Sequence, residues 1–269
     1  MSKNISNLSI RIGITGGTGV LGSILNKKIK KKNYRVINFK YDIQNISIVK
    51  RWVKKNNFDV IFHLASIASV KLCNENSLKA CSVNIIGTKN LLESIVGLKK
   101  KPWLFYASTS HVYKEKKKPL SETDEISPKT FYGYTKWMGE KLTEQYCSDN
   151  NIPYCAGRIF SFYSNSQSKD YLFPSIKKKL KESSNKKSIY VINAYSVIDI
   201  QKAEDIVNII LKIFKKKAEG IVNIGTGKGI EIKRFVKKFS KKKIIIKTNT
   251  KKKTFSIADI KKLKSIIAK

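Results

Sequence analysis

A glycine-rich turn that follows a short apolar segment constrains the fold of this chain more than any other feature. Residues 10–14 form the apolar segment, and residues 15–22 then carry glycines spaced three positions apart. Between a strand and a helix, such glycines allow a tight turn and let a diphosphate approach the helix N-terminus closely. The segment therefore predicts a dinucleotide-binding unit. Its predicted cofactor contacts are Gly16, Thr18, Gly19, Val20, Leu21 and Gly22.

The rest of the chain alternates apolar segments, which suit buried strands, with amphipathic segments, which suit helices. We predict strands over residues 10–14, 35–39, 60–64, 103–107, 154–159 and 221–224, and a β-like run at 244–247. We predict helices from residue 22 to the lysines at 27–32 and over 49–55, 78–98, 132–146, 173–180 and 203–214. This alternation indicates an α/β fold with a parallel sheet.

The same pattern divides the chain into two parts. We predict that residues 1–160 form the dinucleotide-binding core and that residues 161–269 mainly form a smaller substrate lobe. Within the second part, residues 196–224 are expected to return and complete the core. The lobe would cover the carboxyl edge of the sheet, where open α/β sheets bind their ligands.

The charge of the chain is strongly positive, +36 from 55 Lys and Arg residues against 19 Asp and Glu residues. The excess is mostly lysine in short scattered runs, many at predicted helix ends, where cations suit the helix dipole. No aromatic-rich basic segment concentrates the charge, so we expect no specific binding of nucleic acid. A positive surface still attracts anionic ligands such as dinucleotides and nucleotide sugars.

The sequence gives no indication of a membrane span, a leader peptide or a metal site. No stretch reaches about 18 consecutive apolar residues, and residues 1–4 lack an apolar leader, so we expect a cytoplasmic protein without membrane contact. The four cysteines form no C-x-x-C pair, and the two histidines, His63 and His111, are isolated in the sequence. We therefore expect reduced thiols and no bound metal.

The second informative motif is a tyrosine and a lysine four residues apart, Tyr132 and Lys136, in a predicted helix. Residues at this spacing share one helix face, so both side chains can point into one cleft. The ordinary pKa of tyrosine is about 10, and a nearby ammonium together with an oxidised nicotinamide would lower it. This suits Tyr132 to exchange a proton with an alcohol while hydride moves. Lys136 can also hydrogen-bond a nicotinamide ribose, and the hydroxyl cluster at 108–110 supplies a further donor.

These motifs, in this order, resemble the extended short-chain dehydrogenase/reductase family, specifically the NAD-dependent epimerases and dehydratases that act on nucleotide sugars. The resemblance runs from residue 9 to 262 and is most specific at 15–22, 59–65, 83–88, 108–113, 132–136 and 222–227. It implies a Rossmann fold, a doubly wound parallel sheet, with a small C-terminal substrate-binding lobe. It implies a catalytic group of Thr109, Tyr132 and Lys136. It further implies that Leu64, Ala65, Ser66 and Asn84 line the cofactor or brace its loop.

The chain departs from the family pattern beside the catalytic threonine. Family members that dehydrate the sugar carry an acid pair, or at least a glutamate, where this chain carries Ser110 and His111. Because removal of water needs an acid–base couple at the neighbouring carbons, we expect dehydration to be disfavoured. Reduction of a 4-keto sugar on a nucleotide carrier is then favoured over 4-epimerisation, in surface-polysaccharide or nucleotide-sugar synthesis. The alternative from another class is a non-catalytic NAD(P)-binding regulator.

A second departure affects how the substrate is held. The family's Arg-x-x-Asn element after the fifth strand appears here as residues 158–161, with serine in place of asparagine. The family's later Arg-Asp element has Ile198 in place of the arginine, so Lys177 or Lys202 would replace it as a point charge. The predicted substrate contacts are Ser110, His111, Arg158 and Ser161.

The residues after the second strand bear on the choice between NAD and NADP. An acid there binds the ribose 2′-hydroxyl of NAD, whereas this chain has Lys40, which tolerates a 2′-phosphate and favours NADP over NAD. Asp42, followed by the predicted contact Ile43, either accepts a hydrogen bond from adenine or is a solvated turn residue. Many relatives pair through two long helices, and the predicted helices over 78–98 and 132–146 suit a homodimer with a four-helix bundle.

Overall fold

Residues 10–30, 34–182, 188–240 and 242–268 are described by a computed structural model. The start of the chain, on which the expectation of no leader rests, lies outside the described residues, as do Lys31 and Lys32 at the predicted end of the first helix. Among the described residues, no helix is long and apolar enough to cross a membrane. The same residues hold no cluster of three or more His, Cys, Asp or Glu side chains suited to a metal ion.

The main sheet is parallel, and its central strands are apolar and buried on both faces, as parallel strands require. The strands of the described chain are β1 Arg11–Thr15, β2 Arg35–Asn38, β3 Val60–His63, β4 Trp103–Thr109, β5 Tyr154–Ile159, β6 Ser161–Tyr163, β7 Ser188–Tyr190, β8 Val197–Lys202, β9 Gly220–Ile224, β10 Gly229–Glu231, β11 Ile245–Lys247 and β12 Phe255–Ser256. The main sheet has the order β2-β1-β3-β4-β5-β9, with parallel pairing throughout. Its members are the strands predicted from the sequence, which confirms the doubly wound α/β fold.

Helices cover both faces of the main sheet. The helices are α1 Val20–Lys30, α2 Ile46–Asn56, α3 Val70–Glu75, α4 Ser77–Cys81, α5 Gly87–Val96, α6 Phe131–Asp149, α7 Leu172–Glu182, α8 Ala203–Lys215, α9 Ile232–Lys237 and α10 Lys261–Ala268. Helices α1, α8 and α10 share one apolar core with the sheet, and α2, α5 and α6 share the other. In α8, Ile206, Ile210 and Ile213 recur at helical spacing and are fully buried, which explains why this segment docks on the sheet.

The helix predicted over residues 78–98 is present as an unbroken helical stretch over residues 77–96, but its middle differs from a regular α-helix. A π-helical segment, Ser82–Ile86, separates α4 from α5. Within it, the buried Asn84 side chain bonds the backbone of Ile67 and the hydroxyl of Thr135. The pattern of apolar residues does not reveal such a local change of backbone hydrogen bonding. π turns of this kind are frequent near functional sites.

The smaller lobe is built from short strands and a cluster of aromatic rings. Strands β6, β10 and β12 all pair with or lie beside β8 in one sheet, and β7 pairs with β11. Tyr163, Phe173, Phe235 and Phe239 pack with ring centroids 4.9 to 6.3 Å apart. Strand β8 lies in the segment expected to return to the core but belongs to this lobe sheet, so the return begins with α8. Conversely, α10 lies in the expected lobe but packs Leu263 into the main core.

The strand order places a ligand site at one edge of the main sheet. Strand β1 lies between β2 and β3, so the direction in which the sheet grows reverses between β1 and β3. Open α/β sheets bind ligands at such a reversal, outside the carboxyl ends of the strands. The glycine turn follows β1 at this edge, and the ends of β3, β4 and β5 lie beside it.

Candidate active site

A cleft of about 1040 Å³ lies between the carboxyl edge of the main sheet and the smaller lobe. Its wall includes the glycine turn, the ends of β4 and β5, the start of α6 and the segment 166–172. The predicted residues that line it are Gly16, Thr18, Gly19, Val20, Leu21, Gly22, Leu64, Ser66, Thr109, Ser110, His111, Tyr132 and Ser161. The predicted residues outside its lining are Lys40, Asp42, Ile43, Ala65, Asn84, Lys136 and Arg158.

The glycine turn is too tightly packed to carry side chains at two of its positions. Gly16 adopts a φ of +71°, and a Cβ there would lie 2.6 Å from the backbone nitrogen of Ala65. A Cβ at Gly22 would collide with the carbonyl oxygen of Gly16. The bare backbone leaves the N-terminus of α1 open toward the cleft, an arrangement that fits the diphosphate of a dinucleotide.

A phenol and a hydroxyl meet at the floor of the cleft. Tyr132, on the first turn of α6, and Thr109, at the end of β4, both line the cleft, and their side chains lie near each other. Burial raises the pKa of Tyr132 above its usual range, and the Thr109 hydroxyl opposes this only in part. In the protein alone, desolvation is the largest influence on the Tyr132 pKa. The lowering expected from the ammonium together with an oxidised nicotinamide stays a prediction.

Lys136 lies one turn along α6, facing the same interior. The residue is 3% exposed, and its Nζ lies 4.4 Å from the ring centroid of Tyr106. Among the described residues, this ammonium contacts that ring and has no hydrogen-bond partner. Burial lowers the pKa of Lys136 to about 7, while the charge of Glu140 acts in the opposite direction. A buried amine with free donor capacity fits the ribose hydroxyls of a nicotinamide nucleotide.

Arg158 does not contact the cleft, which corrects its prediction as a substrate contact. Its Nη2 donates to Glu140 Oε1 at 2.6 Å, and its Nη1 donates to the carbonyl of Glu122 at 3.0 Å. Ser108 Oγ donates to the other oxygen of Glu140 at 2.5 Å. Because both charged groups are buried, the guanidinium turns toward the carboxylate rather than toward a ligand.

Glu140 was not predicted as a site residue, although its spacing from Lys136 indicates that it faces the interior. Glu140 follows Lys136 by four residues, so the two share one face of α6 and both lie inside. The carboxylate is fully buried and joins α6 to the ends of β4 and β5 through Ser108 and Arg158. This network holds the strand end that carries Thr109.

Other predicted residues shape the cofactor region without lining the cleft. Asn84 accepts a bond from the backbone of Ile67 at 2.8 Å and donates to Thr135 at 2.9 Å, so it braces the loop after β3 against α6. Ala65 lies against Gly16, where its backbone nitrogen donates to the hydroxyl of Thr15 at 3.3 Å. These positions fix the loop that faces the glycine turn.

The residues predicted to select the cofactor lie just after β2. Lys40 is exposed. Asp42 is also exposed, and hydrogen bonds from the side chain and backbone of Gln44 lower its pKa. Ile43 is 5% exposed and packs against Gly87 in the core under α2 and α5, so its side chain is not available to a ligand.

The half of the cleft toward the lobe is lined by polar and apolar side chains with few charges. Serines, Gln167 and Tyr171 line it, together with the charged residues Lys71, Glu75 and Asp170. Lys71 Nζ lies 3.0 Å from Asp170 Oδ1, so an ion pair joins α3 to the segment before α7 across the cleft. Lys71, Glu75, Gln167, Asp170 and Tyr171 were not predicted, because no motif marks the segments that carry them.

The lysines proposed to replace the missing arginine do not line the cleft. Lys177 Nζ donates to Asn165 at 2.9 Å and lies over the ring of Phe173. Lys202 is exposed at the end of β8 and is absent from the described wall of the cleft. The expectation that either lysine acts as a point charge in the site is therefore not met by this geometry.

Comparison with curated sequences gives relatives among sugar-nucleotide enzymes. An uncharacterized UDP-glucose epimerase of Bacillus subtilis is 32% identical over 191 residues, which cover 61% of this chain and 60% of the relative. A GDP-6-deoxy-D-talose 4-dehydrogenase of Aggregatibacter actinomycetemcomitans is 29% identical over 231 residues, covering 83% of this chain and 76% of the relative. The chain thus spans less than two thirds of the length of the first of these relatives.

Solved structures match nearly the whole fold. A structure titled RMD from Pseudomonas aeruginosa, complexed with NADPH, has a TM-score of 0.86 at 16% identity, covering 97% of this chain and 91% of that one. A UDP-glucuronic acid 4-epimerase from Bacillus cereus, in complex with UDP-glucuronic acid and NAD, has a TM-score of 0.83 at 23% identity, covering 96% and 93%. At these identities the likeness establishes the fold alone.

The family itself is established by the sequence match. A family model described as GDP-mannose 4,6 dehydratase matches residues 38–267, which is most of the chain. This match includes the segments that carry Thr109, Tyr132 and Lys136, and it leaves dehydration open as a reaction type. The chain belongs to the extended short-chain dehydrogenase/reductase family of NAD-dependent epimerases and dehydratases.

Proposed function

We propose that this protein is an NAD(P)-dependent enzyme that oxidises or reduces C4 of a nucleotide-activated sugar. The observation that carries the proposal is that Thr109 and Tyr132 line one cleft together with the glycine turn, and that the buried Lys136 lies one helical turn after Tyr132. A non-catalytic dinucleotide-binding protein has no need of this group. The curated relatives named above, an epimerase and a 4-dehydrogenase of sugar nucleotides, support the same substrate class.

The chemistry divides between the cofactor and the side chains. Gly16, Gly19 and Gly22 would hold the diphosphate of a nicotinamide dinucleotide, which would supply or accept the hydride. The phenol of Tyr132 takes the proton of the sugar hydroxyl during oxidation or returns it during reduction, and Thr109 holds the same oxygen by a hydrogen bond. Lys136, whose ammonium lies over the ring of Tyr106, would hydrogen-bond the nicotinamide ribose. Its positive charge would favour ionisation of Tyr132.

We propose reduction of a 4-keto sugar as the main reaction, with 4-epimerisation as the alternative. The relative that acts as a 4-dehydrogenase and the structural neighbour with NADPH support this preference. Lys40, exposed after β2, supports NADP over NAD, since it can pair with a 2′-phosphate. Steady-state rates with NADPH and NADH test the cofactor preference, and a clear advantage for NADH would refute it.

We further propose that two copies of the chain pair through α5 and α6. Large apolar side chains on and before these helices remain exposed, among them Ile86, Tyr134 and Met138. A four-helix bundle would bury them. Sedimentation of the purified chain should show a dimer, and Met138→Glu should shift it toward the monomer. Location in the cytoplasm and a role in polysaccharide synthesis stay predictions.

A thermal-shift screen tests the proposed function. The protein is mixed with NAD, NADH, NADP or NADPH, alone and with a panel of UDP- and GDP-linked sugars. We expect a dinucleotide to raise the melting temperature and one nucleotide sugar to raise it further, because ligands that bind only the folded state stabilise it. Consumption of NADPH with a 4-keto nucleotide sugar identifies a reductase, and a tightly retained NAD identifies an epimerase. Absence of stabilisation by all four dinucleotides would contradict the proposal.

A further inference from the structure

The two histidines of the chain have opposite surroundings. His63 is buried, with Nδ1 2.6 Å from Thr15 Oγ1 and Nε2 2.9 Å from Thr88 Oγ1, so both ring nitrogens are committed to the fold. His111 lies on the wall of the cleft with its ring exposed to the interior of the cleft. Among the described residues, neither of its ring nitrogens has a hydrogen-bond partner. Its free nitrogens are therefore available to a ligand.

The backbone at His111 is held next to Thr109, and the imidazole lies beside Tyr132. A single 3-10 turn, Ser110–Val112, follows β4, and the His111 amide donates to Thr109 Oγ1 at 3.3 Å. The imidazole lies edge-on to the Tyr132 ring, with centroids 5.5 Å apart and an interplanar angle of 70°. Although His111 is exposed to the cleft, desolvation by the cleft walls lowers its pKa, which favours the neutral form that accepts a proton.

These positions give two proton-transfer groups facing one substrate. Tyr132 and Thr109 would meet the oxygen on the reacting carbon. His111, two residues after Thr109 and 5.5 Å from the Tyr132 ring between centroids, would then lie near a neighbouring carbon of the sugar ring. A hydrogen on a carbon beside a ketone is acidic, and imidazole is the side chain best suited to remove it near neutral pH. The charged residues of the cleft, Lys71, Glu75 and Asp170, take part in an ion-pair cluster instead.

We propose that His111 is a second acid–base residue, which exchanges the proton on the carbon adjacent to the keto carbon of the bound sugar. Starting from the ketone, an imidazole nitrogen takes that proton. The electrons of the broken C–H bond form the C=C bond of an enolate, and those of the carbonyl π bond move to its oxygen, held by Tyr132 and Thr109. Return of a proton to the carbon restores the ketone, so no oxidant or reductant is consumed.

This proposal deepens the proposed function and rests on it for the identity of the substrate. It extends the chemistry from one carbon to two neighbouring carbons. The expectation that dehydration is disfavoured rested on the lack of a carboxylate after Thr109, and an imidazole performs the same proton transfer. Inversion at the second carbon, or loss of a hydroxyl beyond it, then becomes accessible to this cleft.

The test supplies the ketone directly, so that it does not depend on hydride transfer. UDP-4-keto-6-deoxyglucose is incubated with the full-length protein and NADP in D2O, and deuterium at C3 and C5 is measured by NMR and mass spectrometry. We expect wild-type protein to speed incorporation at one of these carbons, and His111→Gln to slow it by about 10²-fold. Added imidazole should restore exchange in His111→Ala, which a merely structural role would not allow.

Three results would overturn the assignment. They are no protein-dependent deuterium incorporation, equal incorporation by wild type and His111→Gln, and no rescue of His111→Ala by imidazole while the variant melts like wild type. Oxidation of NADPH with the same keto sugar, followed separately, reports on the proposed function. Failure of hydride transfer and failure of proton exchange are thus seen as different results.

Discussion

The two halves of the cleft are built in different ways. The cofactor half is made of backbone and buried networks, because the glycine turn leaves no room for side chains and Glu140 ties α6 to the strand ends. The sugar half is made of side chains on loops, and its two walls are joined by the exposed pair of Lys71 and Asp170. The shape of the cofactor half is determined by the packing of the fold, whereas the shape of the sugar half depends on a few side-chain contacts that single substitutions can change.

This difference explains how such a fold keeps one cofactor chemistry while its substrate varies. A change in the backbone-built half disturbs packed strands and helices, so its cost is large. A change in the loop-built half alters one hydroxyl, amide or charge at a time. The imidazole of His111 lines the cleft, whereas Ile198, which stands where the family pattern has arginine, packs against the core of the lobe. Substitutions in the two halves should therefore differ in size and in what they affect.

The largest effect is expected from Glu140→Gln. This change leaves the buried Arg158 without its charged partner, which costs about 3–5 kcal/mol of stability. Urea unfolding measures the loss. The matched control is Glu144→Gln on the same helix, where the exposed pair with Lys141 is worth about 0–1 kcal/mol. Equal losses in the two variants would show that the buried pair is not what holds the cofactor half.

Gly22→Ala should come next. Its Cβ would collide with the Gly16 carbonyl, and strain of about 1–3 kcal/mol corresponds to dinucleotide binding that is weaker by roughly 5- to 150-fold. Isothermal titration with NAD and NADPH measures this. Gly97→Ala, at a position with open space around it, is the control. Unchanged dinucleotide affinity in Gly22→Ala would contradict the placement of the diphosphate on this turn.

Lys136 should make stability depend on pH. Its pKa is about 7 in the fold against an ordinary 10.5, so between these values the unfolded chain binds the extra proton. Stability from this group therefore rises with pH across that window, by at most about 1.4 kcal/mol per pH unit. Comparing the unfolding of wild type and Lys136→Met from pH 7 to 10 isolates the slope, with exposed Lys141→Met as control. If the stability of wild type and of Lys136→Met changed equally with pH, the lowered pKa of Lys136 would be refuted.

The smallest effect is expected in the sugar half. Breaking the exposed pair with Lys71→Met or Asp170→Asn should change stability by about 0–1 kcal/mol, and 1 M salt should have a similar effect on wild type. The main consequence should be a change in KM for the sugar with kcat nearly unchanged. A double variant shows whether the two residues act together. A large loss of stability would mean that the sugar half is as rigid as the cofactor half.

Much of the cofactor half was predictable from local pattern. The apolar segments gave the strands of the main sheet, and their order brought the glycine turn, Thr109 and Tyr132 to one edge. These inferences depend on neighbours in the sequence or on the rules of parallel sheets. The placement of Lys136 followed from its spacing to Tyr132, whereas the burial that raises the pKa of Tyr132 in the protein alone did not.

The remaining features depend on contacts between distant residues. Arg158 was assigned to the substrate, since nothing near it in sequence shows that Glu140, 18 residues earlier, takes up its guanidinium. The short strands of the lobe, some only two or three residues long, carry too few side chains for a periodic pattern. The ion pair of Lys71 with Asp170 joins residues 99 positions apart, and no sequence pattern predicts it.

Hydride transfer under control of Tyr132 is the central claim, and isotope transfer measures it most directly. UDP-glucose and GDP-mannose carrying deuterium at C4 are mixed with excess protein and NAD or NADP, and the label on the nicotinamide is followed over time. We predict that deuterium moves to the nicotinamide ring with one of these sugars or a close analogue. Tyr132→Phe should slow the transfer by about 10²- to 10⁴-fold, while Tyr134→Phe, at an exposed neighbour on the same helix, transfers like wild type. Equal transfer rates in Tyr132→Phe and wild type would contradict the account.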